Sequence, residues 1–246
     1  MKRGVFVVGT DTGVGMTHVA SVLALHIDRK FQAAGGSTVG VWKPVETGAT
    51  GGVQADGVRL VRGSGLPVRE SEASTYAFPD AVLPWMAAQR AGERISLSQL
   101  AEEGHRRLHA ADYTVVDGAG GLAVPLTDAC VVADLASALE LPLLIVARPG
   151  IGTVNHTLLT ISYARQAGLT PAGVVLNGFR DGQADVMREN AMMIERFGGV
   201  PVLGMLPWIA EAPETERDWA DWRERWAEVA AGALDAEPLL DAGRLP

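Results

Sequence analysis

A strand-like run at residues 5–8 leads directly into Gly9-Thr10-Asp11-Thr12-Gly13-Val14-Gly15-Met16-Thr17, and an amphipathic pattern then predicts a helix over 17–30. This junction constrains the fold more than any other feature. Its small residues let main-chain amides approach an anion, and the helix start adds partial positive charge, so the segment suits a cradle for phosphate. The Thr17 hydroxyl is placed to meet the magnesium that travels with a nucleotide. Two details depart from the common phosphate-loop pattern. Gly9 and Gly15 enclose one residue more than usual, and Met16 stands where a lysine is expected. Methionine cannot pair with phosphate oxygens, so any phosphate has to be held by backbone amides and other side chains.

The rest of the chain keeps the same rhythm. Strands are expected at 38–42, 113–117, 143–147, 173–177 and 202–206, and helices at 97–108, 131–139, 154–167 and 184–197. Nearly unbroken apolar strands alternating with helices predict an α/β fold over 1–246: one domain, a parallel sheet flanked by helices on both faces. Residues 49–56 read as a glycine-rich loop entering a short helix. Residues 64–95 read as an irregular, proline-punctuated excursion carrying part of a pocket. The tail after Glu211 is acidic and then presents Trp219, Trp222 and Trp226 at helical spacing, a stripe read as packing against the domain or a second subunit.

With 21 basic and 29 acidic residues the formal charge is −8, and no basic stripe offers a surface for nucleic acid or an anionic membrane. Phosphate would therefore be held by local geometry. Cys130 is the only cysteine, which excludes an intrachain disulfide and a cysteine-based metal cluster. The apolar run after Lys2 and Arg3 is too short for a signal peptide, and no segment reaches the roughly 18 apolar residues of a membrane span. A cytoplasmic protein is expected.

The glycine-threonine loop resembles that of the dethiobiotin synthetase family, Gly-Thr-Asp-Thr-x-Val-Gly-Lys-Thr, at every position but Met16. The likeness continues in order. Lys43-Pro44-Val45 resembles the family's Lys-Pro-Val segment, and Asp117-Gly118-Ala119-Gly120-Gly121 its Glu-Gly-Ala-Gly-Gly segment. Gly152-Thr153-Val154-Asn155-His156 resembles its Gly-Thr-Ile-Asn-His stretch. Asn177 and the segment from Gly204 through Trp208, with Glu211–Glu214, resemble its two late nucleotide-side segments. The resemblance implies the P-loop NTPase fold and a homodimer with the substrate site at its interface. It also implies an ATP- and magnesium-dependent ligase that closes the ureido ring of dethiobiotin from diaminopelargonic acid and carbon dioxide in biotin biosynthesis.

Carried over residue by residue, Lys43, Thr12 and Thr17 are the catalytic candidates, with Lys43 on the carbamate and γ-phosphate. Thr17, Asp56 and Asp117 are the magnesium set. Nucleotide contacts fall to Gly13, Val14, Gly15, Met16, Thr17 and His18, then to Asp117, Gly118 and Gly120. On the base side they fall to Asn177, Pro207, Trp208, Ile209 and Glu214. Substrate contacts fall to Thr12, Lys43 and Thr47, and to Gly152, Thr153, Val154 and Asn155, which reach the substrate carboxylate across the two-fold interface. Two departures bear on this transfer: Asp117 is one methylene shorter than the family's glutamate, and Trp85 stands where the family has histidine. The competing readings are a nucleotide- or substrate-binding homologue silenced by Met16, and a related amide-forming or septum-positioning ATPase. The latter would not be expected to carry Lys43-Pro44-Val45 together with the Gly152–His156 segment.

Overall fold

The computed structural model describes residues 4–49, 55–180, 182–208, 213 and 215–242. Its elements are β1 (Gly4–Gly9), α1 (Met16–Ala34), β2 (Val39–Thr47), α2 (Asp56–Ser64), β3 (Ser74–Phe78) and α3 (Pro84–Arg90). They continue with α4 (Leu97–Ala110), β4 (Tyr113–Asp117), α5 (Val132–Leu139), β5 (Leu143–Ala147) and α6 (Thr153–Gln166). The chain closes with β6 (Pro171–Phe179), α7 (Ala184–Gly198), β7 (Val202–Pro207), α8 (Glu216–Ala233) and α9 (Glu237–Ala242).

The strands form one seven-stranded sheet in the order β3-β2-β4-β1-β5-β6-β7, and each neighbouring pair is parallel. Side chains alternate across each strand. Val5 and Val7 enter the core beneath α1, α2 and α8, whereas Phe6 and Val8 enter the opposite core beneath α4, α5 and α6. Burial on both faces explains why β1, β4 and β5 are apolar throughout. In an open parallel sheet, ligands collect beyond the carboxyl ends of the strands. The loop after β1 and the ends of β2, β4, β6 and β7 meet there.

Three expectations are corrected. Strand β2 runs on to Thr47, so Lys43 lies inside it rather than just beyond it. Pro44 made the segment read as a break, because proline lacks the N–H that a central strand needs. The structure resolves this by a change of partner: Val39–Trp42 pair with β4, and pairing then passes to β3 from Lys43 onward. The excursion at 64–95 is also more regular than expected, since it contains edge strand β3 and helix α3. Strand β6 likewise extends past Asn177 to Phe179.

Candidate active site

The loop after β1 is built by glycines. Gly15 adopts φ +87, and a Cβ there would lie 2.2 Å from Asn177 Nδ2, so both backbone and space demand glycine. Asn177 uses that closeness to donate from Nδ2 to the Val14 carbonyl at 2.9 Å, which ties the loop to β6. Gly9 N–H donates to the Gly120 carbonyl at 3.0 Å, joining the loop to the glycine segment after β4.

Behind the loop the polar side chains converge. The Thr17 hydroxyl donates to Asp117 Oδ2 at 2.6 Å. Lys43 Nζ donates to the same oxygen at 2.9 Å and to the Gly118 carbonyl at 2.8 Å. It also lies 3.5 Å from Thr17 Oγ1 and 3.4 Å from Asp56 Oδ2. Lys43 and Asp117 are both buried. Burial works to lower the Lys43 ammonium, but the charges of Asp117 and Asp56 outweigh it and hold the lysine above its ordinary value. Burial raises the Asp117 carboxyl above the usual carboxylate range against the pull of Lys43.

Thr17, Asp56 and Asp117, separated in sequence, are therefore brought to one point with Lys43. Among the described residues no cluster of three or more His, Cys, Asp or Glu side chains could hold a metal. Two carboxylates and a hydroxyl are hard oxygens of the kind magnesium takes, with phosphate oxygens and water completing its shell. Asp117 Oδ1 is buried with no hydrogen-bond partner, a spare acceptor at that point. The donor set fits magnesium.

A cavity of about 720 Å³ opens in front of these groups. Thr12, Gly13, Gly15, Met16, His18 and Thr47 line it, as do Gly120, Asn177, Pro207 and Trp208. Val14 instead packs into the core and offers its carbonyl to Asn177. Met16 is also largely buried, and its Sδ turns back toward Gly9. Burial, with the Arg59 guanidinium adding to it, holds the His18 imidazole down to about 4, so it is neutral near pH 7. Ile209 and Glu214 lie outside the described residues. Gly152, Thr153, Val154 and Asn155 form the start of α6 and do not line this cavity. Pro84 lines it, but Trp85 does not.

Several residues in and around the site were missed by sequence reasoning. Glu46 is buried and accepts from Gly57 N–H at 3.1 Å and from the Ser74 hydroxyl at 2.8 Å. It thereby pins the first turn of α2, which carries Asp56. Arg59 lines the cavity one helical turn beyond Asp56, and Trp219 and Trp222 of α8 form part of its wall. Glu46 follows Pro44-Val45 closely enough to have been suspected, but the tryptophans reach the cavity only through tertiary packing.

A parallel sheet with a glycine-threonine loop between β1 and α1, and a threonine and aspartate converging behind it, defines a P-loop NTPase. A family model described as an AAA domain matches residues 3–215. Over the same fold, the ParA family ATPase of Chlorobium tepidum superposes with a TM-score of 0.53 at 14% identity, covering 100% of both chains. The septum site-determining protein MinD of Pyrococcus horikoshii, solved with Mg-ADP, gives 0.53 at 19% identity and covers 99% of this chain and 95% of that one. Sequence similarity is far closer to ATP-dependent dethiobiotin synthetases of Bacillus thuringiensis and Bacillus anthracis, at 43% identity over 207 residues and 84% of each chain. The chain belongs to the dethiobiotin synthetase family.

Proposed function

We propose that the chain, one domain over 1–246, is an ATP-dependent ligase that closes the ureido ring of dethiobiotin from diaminopelargonic acid and carbon dioxide. The observation that carries this is Lys43, a buried ammonium that grips Asp117 and the Gly118 carbonyl and lies beside Thr17 and Asp56 at the mouth of the phosphate loop. Phosphoryl transfer asks for alignment and neutralisation of charge more than for covalent help. Loop amides at 13–17 cradle the triphosphate. Thr17, Asp56 and Asp117 would hold magnesium, which would supply further neutralisation of the phosphate charge. One substrate amine takes up carbon dioxide as a carbamate and loses a proton. A carbamate oxygen attacks the γ-phosphorus and ADP leaves. Lys43 steadies the charge that grows on the transferring group. The second amine then attacks the carbamoyl carbon and gives up a proton, phosphate departs with the electron pair of the C–O bond, and the ring is closed. Thr12 and Thr47 on the cavity wall orient the diamine.

By the family resemblance Gly152–Asn155, which do not line the chain's own cavity, act on a partner copy's substrate, and the working unit is a homodimer. An apolar face supports this: Ile151, Leu159 and Phe197 are exposed on or beside α6 and α7. Among the described residues no helix is long and apolar enough to cross a membrane, and we place the enzyme in the cytoplasm. The test is phosphate release from ATP and magnesium with bicarbonate, with and without the diamine. Release that requires the diamine supports the ligase, whereas nucleotide binding with no diamine-dependent release overturns it.

A further inference from the structure

The cavity is larger and more aromatic than a triphosphate needs. Its phosphate side is the loop at 13–17, and His18, Asn177, Trp208, Trp219 and Trp222 also line it. Trp219, Trp222 and Trp226 occupy one face of α8, spaced at i, i+3 and i+7. Trp226 is wholly buried, packs edge-on to His18 at 4.2 Å and does not line the cavity, although its Nε1 also lacks a hydrogen-bond partner. Trp222 is only partly buried, meets His18 edge-on at 5.5 Å and borders the cavity.

Packing does not explain the polar atoms of this wall. Trp219 Nε1, His18 Nε2 and Asn177 Oδ1 are all buried with no hydrogen-bond partner, and all three residues line the cavity. Buried polar groups left unpaired are costly and rare. A donor, an imidazole nitrogen and an amide oxygen beside an indole face suit a flat heteroaromatic ring with polar edges, together with its sugar. The start of α8 is fixed for this task by a capping box, in which Thr215 and Asp218 exchange side-chain hydrogen bonds to each other's backbone N–H at 3.1 and 3.2 Å. Helix α8 begins at Glu216, beyond the residues that the family model matches.

We propose that α8 supplies the wall against which the nucleoside half of the bound nucleotide stacks, with Trp222 as the contacting ring and Trp219 Nε1 as a donor to the nucleoside. This rests on the reading that the loop holds the nucleotide's phosphates. Trp222 is then a further nucleotide-binding residue of the ligase, supplied by a segment outside the matched family region.

Calorimetry on the full chain with magnesium tests it, using ADP and inorganic pyrophosphate as paired probes. The wild type is expected to bind ADP at least about thirtyfold more tightly than pyrophosphate. Trp222→Ala should lose about tenfold for ADP and leave pyrophosphate unchanged, as removal of a base-stacking ring does. Trp222→Phe should keep most of the ADP affinity while losing much of the ADP-induced change in tryptophan fluorescence, which also guards against a folding defect in the alanine variant. If Trp222→Ala and Trp222→Phe both bind ADP as the wild type does with the fluorescence response intact, or if the alanine variant weakens both probes equally, the wall is overturned. If the wild type binds ADP no more tightly than pyrophosphate, it is overturned as well. Binding of neither probe by the wild type removes the phosphate-loop reading itself, and the wall falls with it.

Discussion

Lys43 and Asp117 form a buried ion pair, and its two members do not bear equal risk. Removing the lysine leaves an uncompensated carboxylate in the core, a change that typically costs about 3–5 kcal/mol. Lys43→Met should therefore lower the unfolding free energy by about that much in denaturant titration. It should also reduce diamine-dependent turnover by at least about two decades, the scale of one lost transition-state contact. Met16 poses the opposite question. Its side chain is largely buried and bends toward Gly9, so it fills space and adds no charge. Since it also borders the cavity, a lysine there can follow the same stem and present its ammonium to the phosphates. Met16→Lys is expected to raise turnover at least about tenfold. No gain would mean that Lys43 and the loop amides already meet the demand. Thr17 and Asp117 could be singled out in the sequence because they sit at a helix start and a strand end, while Lys43 and Asp56 were carried over from the family resemblance. Glu46 was not, since its value lies in reaching Gly57 and Ser74 across the fold.

Strands β1, β4 and β5 were readable because burial on both faces leaves little room for polar residues. Edge strand β3 was not, as only Phe78 of its five residues is buried, so it carries no apolar run. Strand β2 was read short because a proline inside a strand is tolerated only where the ladder allows it, and a handover between two partners cannot be seen in the sequence. The tryptophan stripe of α8 was read as packing, which holds for Trp226, while the position of Trp219 and Trp222 on the cavity depends on how α8 docks against α1 and α2. Trp226→Ala removes a fully buried indole from that seam and should cost about 3–5 kcal/mol. Thr215→Ala removes the cap of α8 and should cost about 1 kcal/mol. Thermal or denaturant unfolding measures both, and equal small effects would show that α8 is only loosely docked.

At the scale of the molecule, the phosphate loop and the start of α6 follow neighbouring strands, β1 and β5, at the same carboxyl edge of the sheet. The cavity holds the phosphate loop and Lys43, while Gly152–Asn155 begin α6 outside its lining, next to the α6–α7 face with its exposed apolar side chains. If two copies meet through that face, Leu159→Glu and Phe197→Glu together should shift the chain from dimer to monomer in sedimentation equilibrium. The same pair should raise KM for the diamine with little change in nucleotide affinity. A wild-type chain that is monomeric at assay concentration would contradict this arrangement. The ring closure itself is tested most directly by supplying ¹³C-bicarbonate, ATP, magnesium and diaminopelargonic acid, then measuring the product by mass spectrometry alongside released phosphate. A cyclic urea carrying one labelled carbon, formed in equal number with phosphate, is expected. Phosphate released without a labelled product, or no reaction at all, would contradict it.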